Sequence, residues 1–165
     1  MPKSKGFTLI EVLVVVTIIA ILAAIIIPSL FSALQRAKQK RAMAEIRGYA
    51  TACNAYSADS SRFPLGSPTW ADTDVVIPVV ELEPFYINQL PNPDPWGTKF
   101  QYASTDIAQD FGVRSLGKGG TADGGGDFTS LVNAPKSVTS CFENDIVWVG
   151  SDFTFVPENK QSTCL

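Results

Sequence analysis

From Phe7 to Leu34 the chain carries no Lys or Arg and a single acid, Glu11. A bilayer core about 30 Å thick is spanned by about 20 apolar residues in helical form, and this stretch is longer than that. A helix buried in a soluble core is rarely apolar on all sides, as Leu13-Val14-Val15-Val16 and Ile25-Ile26-Ile27 require here. The stretch therefore reads as a membrane-spanning helix. What remains of the 165 residues suffices for one ordinary domain. Pro28 lies inside the run, where it removes a backbone hydrogen bond and crowds the carbonyl of Ala24, so Ala24–Pro28 is the weakest part of the helix.

Charge divides the chain unevenly. Residues 1–48 hold seven Lys and Arg against two acids, and residues 49–165 hold six against fourteen. An acidic domain without basic and aromatic residues interleaved repels phosphate backbones, which argues against nucleic-acid binding. The chain has no His, so the commonest acid–base group and metal ligand is missing. No Ser–His or Cys–His set and no metal-ligand cluster is visible, and an enzyme or binding protein tethered to a membrane is the weaker reading. Gly112–Gly119 imitates a phosphate-binding loop up to Lys118. Gly119 cannot supply the Mg²⁺-binding hydroxyl, and the glycines that follow cannot open the required helix. Three Cys allow three pairings; outside the cytoplasm Cys141 and Cys164, which bracket the C-terminal segment, are expected to form a disulfide.

Beyond the apolar run, Ala42, Ile46, Tyr49, Cys53 and Tyr56 recur every three or four residues, so the helix continues with one apolar stripe. It is expected to end near Asp59–Phe63, before Pro64. Cys53 on the stripe reads as a buried small apolar residue. Residues 64–97 are Pro-rich, and Asp94-Pro95-Trp96-Gly97 suits a type I turn. Strands are expected at Lys99–Tyr102, Phe111–Leu116, Asp145–Val149 and Asp152–Val156, the last two joined by a type II′ hairpin at Gly150-Ser151. The fold class is α+β: a long N-terminal helix, half transmembrane and half amphipathic, packed on a small antiparallel sheet.

Gly6-Phe7-Thr8-Leu9-Ile10-Glu11, preceded by Lys3 and Lys5, resembles the processing signature of type IV prepilins and type II secretion pseudopilins. The resemblance implies a leader at 1–6, cleavage between Gly6 and Phe7 by a membrane prepilin peptidase, and N-methylation of Phe7. It divides the rest into a filament-core helix at 7–34, its amphipathic continuation at 35–62 and a pilin-like extracytoplasmic domain at 63–165. A carboxylate in hydrocarbon costs about 2.5–3.5 kcal/mol on insertion scales; the resemblance pairs Glu11 with the Phe7 α-amine of its own or a neighbouring subunit, and makes the Pro28 region the part that loosens on packing. Charge alone puts the C-terminal domain in the cytoplasm, because Arg36, Lys38, Lys40 and Arg41 follow the span. The resemblance implies the opposite orientation, with the basic leader inside.

Leu90-Pro91, Asp94-Pro95-Trp96-Gly97, Phe100 and Tyr102, then Ser115-Leu116-Gly117, resemble the C-terminal domain of the major pseudopilins of type II secretion. In those proteins a calcium ion sits in the loop after Ser-Leu-Gly, which carried over would be held by the Leu116 carbonyl, Asp123, Asp127 and Asp145. The chain departs from the pattern at Gly119, where an Asp ligand is usual. Calcium takes six to eight oxygens, and too few are visible here. The resemblance implies a non-enzymatic structural subunit, stored in the inner membrane, that self-assembles with other pseudopilins or minor pilins on an inner-membrane platform. That filament is a periplasmic pseudopilus, or alternatively a surface type IV pilus.

Overall fold

The computed structural model describes residues 6–74, 81–123 and 126–162. Two compact units result, one ending at Gln35 and the next beginning at Arg36. Helix α1 runs Leu9–Ser60 without interruption at Pro28. Within the first unit its apolar side chains are exposed all round, Ile25 at 72% and Phe31 at 63%.

In the second unit the stripe on α1 closes a core. Ala42, Ile46, Tyr49 and Cys53 are fully buried against Phe100, Tyr102, Phe111 and Val113, and Tyr56 packs at the edge. The Tyr49 and Phe100 rings lie 5.5 Å apart, and Tyr49 donates its hydroxyl to the Pro91 carbonyl at 2.8 Å. The helix ends where Ser61 takes a left-handed φ of +58°, a common way of stopping a helix. Pro64 follows, and its carbonyl accepts the Tyr102 hydroxyl at 2.7 Å.

The strands are β1 (Ala71–Asp72), β2 (Gln101–Ser104), β3 (Phe111–Ser115), β4 (Ser137–Cys141), β5 (Ile146–Val149) and β6 (Asp152–Ser162), in the sheet order β1-β2-β3-β5-β6-β4. A short helix, α2 (Phe128–Leu131), precedes β4. Period-two alternation on β3 turns Phe111 and Val113 toward α1, while Gly112 and Arg114 face the other side, under Trp70 and α2. Gly112 lets the rings come close, since a Cβ there would lie within 2.8 Å of the Phe128 ring and 2.9 Å of the Trp70 ring and would displace them. At the β5–β6 hairpin only the first loop residue has a positive φ, +60° at Gly150, as a type II′ turn needs.

The sheet departs from the antiparallel expectation at one edge, where β4 runs parallel to β6. The β5–β6 hairpin occupies one edge of β6, and β4 takes the other.

Candidate functional site

At its N-terminus α1 opens with a reciprocal cap. Thr8 donates both its backbone N–H, at 2.9 Å, and its hydroxyl, at 2.7 Å, to Glu11 Oε2, and the Glu11 N–H reaches Thr8 Oγ1 at 3.4 Å. Thr-x-x-Glu is the capping-box pattern, which satisfies donors that a helix start leaves unpaired. Sequence reasoning missed it, although Thr8 and Glu11 carry its spacing. The consequence is chemical: the one acid of the apolar run has hydrogen-bond donors within its own chain. Gly6 and Phe7 are exposed and precede the helix. Lys5 and the residues before it lie outside the described residues. From Leu9 to Leu34 the side chains other than Glu11 are apolar except for the hydroxyls of Thr17, Ser29 and Ser32, of which Thr17 donates back to the Leu13 carbonyl and Ser32 to that of Pro28, and this helix is long and apolar enough to cross a membrane.

Asp94 is the second polar anchor. It is buried, and its carboxylate accepts the Trp96 and Thr98 N–H groups at 3.0 and 2.8 Å and the Thr98 and Ser115 hydroxyls, both at 2.7 Å. Its carbonyl takes the Gly97 N–H at 3.0 Å, which closes the expected turn. One carboxylate thus ties the turn to the end of β3.

The third anchor faces the glycine-rich loop. Arg114 Nη1 lies 3.5 Å from Asp145 Oδ2, both side chains being buried. Asp123 presents its backbone N–H to Asp145 Oδ1 at 3.5 Å, and its carboxylate takes the Thr121 hydroxyl. Asp127 stands apart at the start of α2, exposed, and its carbonyl accepts the Ser130 N–H. The Leu116 carbonyl accepts the Gly120 N–H at 3.3 Å. Among the described residues no three His, Cys, Asp or Glu side chains gather as a metal site. A guanidinium thus lies against Asp145, one of the two carboxylates that neighbour each other here.

Cys53 is a buried free thiol, and burial pushes its pKa up to about 12. Cys141 is disulfide-bonded and pairs in register with Ser162 at the end of β6. Cys164 lies outside the described residues.

Two family models match the chain. The prokaryotic N-terminal methylation motif covers residues 1–27, and protein G of the type II secretion system covers residues 29–134. The chain belongs to the type II secretion protein G family. Proteins named type II secretion system core protein G are similar to it over most of their length. That of Vibrio cholerae is 33% identical over 144 residues, 81% of this chain and 93% of its own. That of Pseudomonas aeruginosa is 34% identical, covering 76% of this chain and 90% of its own. Membership makes the chain a structural subunit of the secretion pseudopilus, and the surface-pilus alternative is not favoured. The protein G match ends at Ala134, so β4, β5 and β6 lie beyond it.

Proposed function

We propose that the chain is made as a precursor, cut between Gly6 and Phe7 by a prepilin peptidase, N-methylated at Phe7, and added to the pseudopilus by helix packing. The observation that carries this reading is the exposed apolar face of residues 9–34 with Glu11 as its single charge. Such a surface has no core of its own to enter, and it suits both a bilayer and a bundle of identical helices. Cleavage would create an α-amine at Phe7, a type of group that is ordinarily cationic in water at neutral pH. Glu11 already accepts the Thr8 N–H, one residue from that amine, so the carboxylate is oriented toward the new terminus. Pairing with the amine of a neighbouring subunit would fix the axial stagger, since one register alone brings the two charges together. In this reading Pro28 loosens the helix on packing, and the domain from residue 63 onward lies in the periplasm, where a Cys141–Cys164 bridge is stable. Other pseudopilins and an inner-membrane assembly platform are its partners, and no catalysis is required.

Glu11→Ala tests the proposal. Removing the acid makes the helix more apolar, so insertion and processing continue. The buried amine loses its partner, which costs several kcal/mol, and sheared filament yield per processed subunit is expected to fall by more than tenfold. Normal filaments from Glu11→Ala, or assembled subunits that still begin at Met1, would overturn it.

A further inference from the structure

The loop between β3 and α2 lies over a buried carboxylate, Asp145, whose side chain is 0% exposed. A buried carboxylate needs a countercharge or a full set of donors. Arg114, with only 7% of its side chain exposed, brings a guanidinium to 3.5 Å from it. That guanidinium is itself fixed. Its Nε donates to Gln101 Oε1 at 2.8 Å across the β2–β3 ladder, and its central carbon sits 4.6 Å from the centroid of the Trp70 ring. Trp70 in turn donates its indole N–H to the Gly126 carbonyl at 3.1 Å, and Asp145 faces the Asp123 N–H. The loop is thus held on two sides by one group of side chains centred on Arg114.

From this arrangement the structure assigns to Arg114 the part of a built-in cation, which pins the β3–α2 loop through Asp145 and makes the domain's fold independent of divalent metal. Two further features agree. A dication brought to Asp145 would meet the guanidinium charge at close range, where little water screens it. At position 119 a Cβ would come within 2.8 Å of the Glu143 carbonyl oxygen and 3.2 Å of Asp123 Oδ2, so a liganding side chain there would displace the backbone. The Gly119 N–H is already committed to that carbonyl, and the Lys118 N–H to that of Phe142. Backbone hydrogen bonds and an internal ion pair therefore engage the carbonyls and the carboxylate that would otherwise be offered to a metal.

The test is thermal unfolding of the full-length protein in detergent micelles, followed by the near-ultraviolet signal of its tryptophans. For the natural sequence the midpoint in millimolar calcium and in excess chelator should agree within about 1 °C, because a ligand that binds only the native state raises the midpoint. Arg114→Met should lower the midpoint by about 10 °C or more, since it removes the cation that faces a buried carboxylate. Arg114→Met combined with Asp145→Asn removes both charges and should recover at least half of that loss, which keeps the test open if the single variant fails to fold. A calcium-dependent rise of several degrees in the natural sequence, or a double variant no more stable than Arg114→Met alone, would overturn the assignment. Neither measurement involves filament assembly, so its outcome stands apart from that of the Glu11 experiment.

Discussion

The two stretches of α1, residues 9–34 and 36–60, are both rich in apolar side chains and have opposite fates. In the second stretch those side chains recur every three or four residues, and Ala42, Ile46, Tyr49 and Cys53 vanish into a core built with β2 and β3. In the first they have no period, and Val14, Ile18 and Leu22 remain about half exposed. One helical face suits one sheet. Apolar residues on every side suit surroundings that are apolar on every side, which a bilayer or a packed helical filament provides and a single domain does not. The contrast extends to charge. The first stretch satisfies its single, exposed acid in a local cap with Thr8, whereas the domain also draws on groups distant in sequence, Ser115 for Asp94 and Arg114 for Asp145.

The largest effect that would break this comparison comes from paired truncations. Tyr49→Ala removes a fully buried ring and should cost the domain about 3–5 kcal/mol, read by urea unfolding. Leu22→Ala should leave the same unfolding curve unchanged and reduce filament yield instead. Equal destabilisation by both would mean that the first stretch also has a core partner within its own chain.

Reduction should have the next largest effect, and only on the domain. Cys141 is disulfide-bonded. A bridge to Cys164 closing that loop would be worth about 3 kcal/mol, so Cys141→Ser should lower domain stability by that amount while membrane insertion persists. Non-reducing peptide mapping that recovers Cys141 and Cys164 as free thiols would remove the bridge.

A smaller effect concerns alkali. Burial raises Cys53 from 9.0 to about 12 and Tyr49 from 10.0 to about 12, and it also raises Tyr102. These are acids whose folded forms hold their protons longer than the unfolded chain does. The unfolded state therefore loses protons first, and stability contributed by these groups is intact below about pH 9 and declines between pH 9 and 12. Urea unfolding at several pH values should show this decline, with Cys53→Ala shallower than the natural sequence. At pH 8 the folded thiol should resist iodoacetamide and react once urea opens the domain.

The sequence by itself determined whatever depends on neighbours along the chain. The unbroken apolar run, the stripe from Ala42 to Tyr56, the turn at Asp94–Gly97 and the hairpin at Gly150-Ser151 are all written within a few residues, because helix period, strand alternation and turn chemistry are local. The resemblance around Gly6–Glu11 was legible for the same reason and agrees with the family models. Tertiary structure decided what depends on residues far apart. Strand β1 is too short to carry an alternation, and β4 pairs in parallel with β6 on the edge that the β5 hairpin leaves. Asp94 finds Ser115, and Arg114 finds Asp145, only once β3 is placed between β2 and β5. No spacing rule marks such pairs in advance. A buried charge is satisfied by whichever group the fold brings within reach, and that is a property of packing rather than of sequence distance.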